Sequence, residues 1–202
     1  DDIIMNVVDA LDAAEGTTCL VGAGGKKTTL YALAARLDRA VLTATVRIPI
    51  FDRRVTEVRT TADPVAELDA SDAAFPLGLV RAQERDDRYR GYDPETVDAV
   101  AAAHDGPVLV KADGARTRLF KAPDDREPQI PTEAHTVVPV ASAHAVGEPL
   151  TEAAVHRPER VAAITDATVG DPITAELVGR VLAHEAACAK NGPAGASAIP
   201  PV

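Results

Sequence analysis

The chain has 202 residues, which suits one domain with a sizeable core, and 31 acidic against 21 basic residues give it a formal net charge of −10. That excess of acid repels nucleic acid and anionic membrane surfaces, so neither is expected as a partner, and no apolar run is long enough to span a bilayer. With 3% aromatic residues and no Trp, the core has to be built from Ala, Val, Leu and Ile.

Apolar residues at helical spacing (Ile4, Val7, Val8, Leu11) predict a helix over Ile3 to Ala14. Thr17 to Val21 is a short β-prone run that ends in glycines, and Thr28 to Leu37 follows as a helix with Leu30, Leu33, Ala34 and Leu37 on one face. Ala40 to Ile48 reads as a continuous buried parallel strand and Arg54 to Thr60 as another, and Asp63-Pro64 opens a short helix. Gly78 to Tyr92 is crowded with charge and reads as a loop or an exposed edge. Pro94 to His104 is a helix with Asp93 as N-cap and Gly106-Pro107 as its stop. Val108 to Ala112 is a buried strand, Lys121 to Pro131 is irregular, Thr136 to Ala141 is a further strand, and Arg157 to Ile164 and Pro172 to Ala189 are helices. Strands alternating with helices define an α/β fold: three layers around a mostly parallel sheet, whose ligands bind at the carboxyl ends of the strands.

The most informative segment is Cys19-Leu20-Val21-Gly22-Ala23-Gly24-Gly25-Lys26-Lys27-Thr28-Thr29-Leu30, which follows a strand and opens a helix. That is the context of a phosphate loop. Gly22, Gly24 and Gly25 let the backbone turn its N–H groups toward one point, and the helix terminus adds partial positive charge. The spacing departs from G-x-x-x-x-G-K-[ST]. Position after Gly25 favours Lys26 as the phosphate lysine. Position before Thr28, the natural Mg²⁺ ligand, favours Lys27. Thr29 completes the candidate loop. The competing reading is a glycine-rich turn before a helix with two exposed lysines.

Asp113, at the end of the Val108 to Ala112 strand, stands where an acidic residue would hold Mg²⁺ or its water beside the loop threonine. Arg116, Arg118 and Lys121 cluster just after it and read either as a phosphate-binding group or as a solvated basic turn. Arg157, in His156-Arg157-Pro158-Glu159, either reaches a ligand or sits at a helix start. Thr43 and Thr45 are either switch threonines or strand filling, and Arg81 to Arg90 is a solvated loop, a lid or a docking surface. His135, His144 and His156 lack paired metal-ligand spacing, and Cys19 and Cys188 form no Cys-x-x-Cys pair, so no zinc or redox centre is expected. The few lysines (26, 27, 111, 121 and 190) and the excess of acid suit a salt-rich, halophilic cytoplasm, with high-GC codon usage as the plainer alternative. With no secretory signal in view, a cytoplasmic location is expected.

Taken together, the glycine loop, Thr43-Ala44-Thr45, Asp113-Gly114-Ala115-Arg116, Leu119-Phe120-Lys121-Ala122-Pro123, Glu127-Pro128-Gln129-Ile130-Pro131, Gly147-Glu148-Pro149-Leu150 and His156-Arg157-Pro158-Glu159 resemble the YqeC family. The resemblance runs from about Val21 to Pro193. It implies a P-loop NTPase-like fold and an accessory role for selenium-dependent molybdenum hydroxylases. The chain departs from the family pattern at Lys111, where an acidic residue is usual, and at Lys27, where the loop usually reads GKT or GKS. The family also continues beyond Val202 into an Asn-containing segment suited to reading a base.

The expectation is thus a single P-loop nucleotide-binding domain with a smaller lobe within 116–167. It would bind ATP or GTP with Mg²⁺, and hydrolyse or transfer the nucleotide in maturing a molybdenum hydroxylase or its cofactor. In the catalytic role stand Lys26, Lys27 and Asp113; in nucleotide binding, Gly22, Gly24, Gly25, Lys26, Lys27, Thr28, Thr29, Arg116, Lys121 and Arg157; as metal ligands, Thr28 and Asp113. The alternatives are a non-catalytic nucleotide- or cofactor-binding chaperone or scaffold, and a degenerate loop that binds no nucleotide.

Overall fold

The computed structural model describes residues 6–68, 73–184 and 190–198. In chain order these form α1 (Val7–Ala10), β1 (Thr17–Gly22), α2 (Lys26–Ala34), β2 (Val41–Ala44), β3 (Ile48–Pro49), β4 (Glu57–Thr60), α3 (Pro64–Leu68), β5 (Leu77–Val80), β6 (Ala82–Arg85) and β7 (Arg88–Arg90). Then follow α4 (Pro94–Ala103), β8 (Val108–Lys111), β9 (Phe120–Lys121), β10 (Thr136–Val140), β11 (Val155–His156), α5 (Pro158–Ala163), α6 (Ala175–Ala183) and β12 (Ser197–Ala198).

The main sheet has seven strands in the order β12-β10-β1-β8-β2-β5-β4, and every pairing in it is parallel. β1, β2, β5 and β8 are buried along their whole length, as strands covered on both faces must be. Alternation then divides the core in two. Cys19, Val21, Val41, Leu77, Val108 and Val110 face Val97 and Val100 of α4, while Leu20, Leu42, Leu109 and Val138 face Val8 of α1 and Leu30 and Leu33 of α2. The three-layer α/β architecture is therefore that expected, compatible with a P-loop-like fold. A third apolar cluster joins Phe120, Leu150, Val155, Val161, Ile173 and Val181 around the two-stranded β9–β11 ladder.

The α4 helix matches the reading of its signals: the Asp93 carboxylate accepts the Thr96 N–H at 3.0 Å, and Pro94 occupies the first turn. Other elements differ. The segment Gly78 to Tyr92 is not a loop or exposed edge throughout. β5 is a buried strand between β2 and β4, and only the remainder turns outward, as the β6–β7 hairpin with β3 on its far edge. Four apolar residues ahead of a charged stretch are too few to display a period, and Gly78 breaks even that run because the Phe51 ring takes the place of its side chain.

The strand read over Ala40 to Ile48 stops at Ala44, whose carbonyl accepts the Tyr92 N–H at 2.9 Å, and resumes as β3 in the other sheet. Residues 52–54 form a 3₁₀ turn before β4. The first helix is short, capped by Asn6 and ended near Asp12 in the left-handed region. Part of that predicted helix, part of the last one and Cys188 lie outside the described residues. Among the described residues, no helix is long and apolar enough to cross a membrane.

Candidate functional site

The carboxyl ends of β1 and β8 lie side by side, so the glycine loop and Asp113 meet although they are far apart in sequence. The loop leaves β1 at Gly22, whose φ of 93° places it in the left-handed region, and Gly25 is the N-cap of α2. No side chain caps α2, so its first N–H groups are open to a ligand.

Lys26 is the first helical residue, and it turns back under the loop. Its ammonium donates to the Gly22 carbonyl and lies 2.7 Å from Asp113 Oδ1. Asp113 Oδ2 accepts the Gly22 N–H at 2.7 Å and lies 3.0 Å from Lys121 Nζ. Lys121 in turn donates to Glu127 at 2.8 Å, and Glu127 accepts from Arg157 at 3.0 Å. A chain of alternating charge, buried at Lys26, Asp113 and Lys121 and partly buried at Glu127 and Arg157, thus runs from the loop to the start of α5. Lys121 and Arg157, both expected on a ligand, are members of this chain; Arg157 also holds Asp124 and, with a left-handed backbone, forms the N-cap of α5.

Above the loop lies a cavity of about 470 Å³. Gly24, Gly25, Lys26, Lys27 and Thr28 line it together with residues 114–119; Arg47, Arg88 and Lys111 complete it. No carboxylate lines it among the described residues. Arg47 is paired with Glu84, and Arg88 with Asp87 at 2.7 Å. Lys27, Arg116 and Arg118 form no ion pair with a described residue. Arg116 and Thr117 both adopt positive φ, an uncommon backbone for two successive side-chain-bearing residues and one that tends to gather at ligand sites. A neighbouring cavity of about 500 Å³ shares Arg47 but also contains Glu84 and Asp93, so its charge is mixed.

Lys111 is the least ordinary of these cations. Burial, reinforced by Lys26 and Lys121, pushes its amine down to about 7, against the pull of Asp113 and Glu127. It donates to the carbonyls of Arg47 and Asp113 at 2.9 and 2.7 Å, which ties the end of β2 to the end of β8.

The structure therefore gathers Gly24, Gly25, Lys26, Lys27, Thr28 and Arg116 at one cavity, with Gly22 and Asp113 beneath it. The Thr29 hydroxyl instead turns back to the Gly25 carbonyl at 3.4 Å. Thr43 and Thr45 donate to the carbonyls of Leu79 and Gln129, as strand-end fastenings. Arg47 and Arg88 were not singled out from the sequence; only the fold-over of β3 and β7 brings them to the loop. Among the described residues, no group of three His, Cys, Asp or Glu side chains could hold a metal ion. Cys19 is buried, and burial pushes its thiol up, away from reactivity.

Burial alone would raise the Glu127 carboxyl, but Lys121 and Arg157 outweigh it and hold it down at about 2. A depressed carboxyl stabilises the fold above its ordinary value of 4.5, and that contribution is lost as pH falls through about 2. Stability is thus expected to decline between those limits, and Glu127→Gln should flatten the decline. Urea midpoints across that range test it; parallel curves for the two proteins would refute it.

A parallel sheet with a glycine loop and a cationic cavity at its carboxyl edge defines the class: an α/β protein compatible with P-loop-like folds. The profile of the YqeC protein family matches residues 18–159. The chain is also 32% identical over 184 residues to the Uncharacterized protein YqeC of Escherichia coli (strain K12), an alignment covering 87% of this chain and 71% of that protein. The chain belongs to the YqeC family. No solved structure matches it significantly.

Proposed function

We propose that the cavity binds the polyphosphate of ATP or GTP, and that the protein is a nucleotide-binding accessory factor. One observation carries this reading. In a chain with a net charge of −10, a cavity lined by Lys27, Arg116 and Arg118, and by no carboxylate among the described residues, sits where a glycine loop opens into a helix N-terminus. Backbone N–H groups from Gly24 to Thr28 would face the phosphates, and the two arginines would close over them. Lys26 would act from beneath, holding the loop in shape through Gly22 and Asp113.

Mg²⁺ fits these residues poorly. It requires oxygen ligands, commonly one or two carboxylates, and both Asp113 oxygens already face ammonium groups or an N–H. The Thr28 hydroxyl is the remaining candidate ligand in the loop.

The place of this binding in maturing a molybdenum hydroxylase rests on the family resemblance. Turnover, by hydrolysis or nucleotidyl transfer, needs a group that positions the attacking atom, and among the described lining residues the cavity offers cations and the hydroxyls of Thr28 and Thr117 but no carboxylate. That composition favours a second reading, in which the protein binds nucleotide or another anionic cofactor and works as a chaperone or scaffold.

Calorimetric titration with ATP, GTP and the two nucleosides tests the proposal. Saturable binding of a triphosphate, weakened by KCl and absent for its nucleoside, is the expected result. No binding, or equal binding of triphosphate and nucleoside, refutes it. Release of phosphate or diphosphate then separates turnover from holding.

A further inference from the structure

We infer that this site takes a nucleoside polyphosphate free of divalent metal, with Lys27 supplying charge where a phosphate loop ordinarily places a Mg²⁺-ligating hydroxyl. The inference rests on the nucleotide-binding reading and specifies the form of the ligand.

In the usual G-K-[ST] pattern the residue directly after the loop lysine carries the hydroxyl that meets Mg²⁺. Here Gly25 is the N-cap, Lys26 is the first residue of α2, and the residue after it is Lys27. Lys27 is exposed, lines the cavity and forms no ion pair with a described residue. An ammonium therefore lines the cavity from the position where a phosphate loop places its metal-binding hydroxyl.

The surroundings point the same way. Arg116 and Arg118 line the same cavity as the loop, as does Lys111 at the end of β8. A divalent cation entering this space meets repulsion from Lys27 and the two arginines, and finds no carboxylate among the described lining residues. Asp113, beneath the loop, is 1% exposed and faces Lys26, Lys121 and the Gly22 N–H, while Glu84 and Asp87 are held by Arg47 and Arg88. For the ligand the sign is opposite. Chelation removes about two negative charges from a triphosphate, and a cavity whose charged lining residues, among those described, are all basic favours the form with more negative charge. The protein's own lysines and arginines neutralise the phosphates in place of the metal.

The test is to titrate the full chain with ATP and with GTP in EDTA, and again with Mg²⁺ in excess over nucleotide. Binding in EDTA is expected to equal or exceed binding in Mg²⁺. Lys27→Thr, an exposed change that restores a hydroxyl after Lys26, should weaken binding in EDTA by about tenfold and make Mg²⁺ beneficial. Circular dichroism would establish that this variant keeps its fold. Wild-type binding that requires Mg²⁺ would overturn the inference and leave the nucleotide reading standing. Unchanged metal dependence in Lys27→Thr would overturn the role of Lys27. No binding under either condition would overturn the nucleotide reading, and this inference with it.

Discussion

Replacing Asp113 by alanine is expected to cost about 3–5 kcal/mol of stability, the usual consequence of removing one member of a buried ion cluster. The carboxylate holds two ammonium groups whose side chains are 6% and 0% exposed, Lys26 at 2.7 Å and Lys121 at 3.0 Å, and it accepts the Gly22 N–H. Lys121 would keep Glu127, so the loss falls mainly on Lys26 and on the shape of the loop. Lys111 stands nearby and is already discouraged from charging by burial and by Lys26. Without Asp113 the repulsion among Lys26, Lys111 and Lys121 loses one carboxylate that offsets it, while Lys121 keeps Glu127 and Lys26 keeps the Gly22 carbonyl. Asp113→Asn retains an oxygen for Gly22 and the shape of the side chain, so a smaller loss is expected. Urea denaturation of the wild type and both variants measures the series. A cost below about 1 kcal/mol for alanine would mean that water screens the cluster as it does a surface ion pair.

The same cluster explains which site residues could be read from the sequence. The loop was legible because its signals are local: strand, glycines, lysines and helix fall within a dozen residues, and each constrains the next. Asp113 was legible as an acid at the end of an apolar strand. The ion-paired end points of Lys121 and Arg157 were not. A basic residue near a candidate site carries a sign but no partner. Lys121 is drawn inward by Asp113 and Glu127, and Arg157 by Asp124 and Glu127, through contacts that only the fold creates. With those two committed, the cations left on the cavity come from elsewhere, including Arg47 before β3 and Arg88 in β7.

The fold divides along a similar line. Strands with consecutive apolar residues, such as Val108-Leu109-Val110 in β8 and Val137-Val138 in β10, were recognisable as apolar runs. β5 was not, because its Leu-Gly-Leu-Val run is short and its glycine answers to Phe51, which is distant in sequence. The order of strands in the sheet is likewise a long-range property: β8 separates β1 from β2 although a helix alone separates them along the chain. That insertion is what sets Asp113 beside the loop.

The second large effect is expected at Gly22, where alanine should cost about 3–5 kcal/mol through overpacking and backbone strain together. A Cβ built there lies 2.2 Å from the Val140 carbonyl oxygen, and the residue's φ is +93°. The obstacle is backbone of the adjacent strand β10, which cannot move aside as a flexible side chain could. The contact arises because the loop must leave β1 while still bonded to its neighbour, with the Ala23 N–H donating to that same carbonyl at 2.8 Å. Gly147 separates the two causes. Its φ of +91° is nearly identical, but nothing lies within 4 Å of its added Cβ. Gly147→Ala therefore registers the left-handed backbone alone and should cost about 1–2 kcal/mol. Denaturation midpoints of the two variants make the comparison. Equal losses would assign the requirement at Gly22 to backbone conformation; a clearly larger loss at Gly22 would assign the excess to the close passage of the loop beneath β10. In that case the glycine that starts the candidate phosphate loop is required first by the packing of β1 against β10, before any ligand arrives.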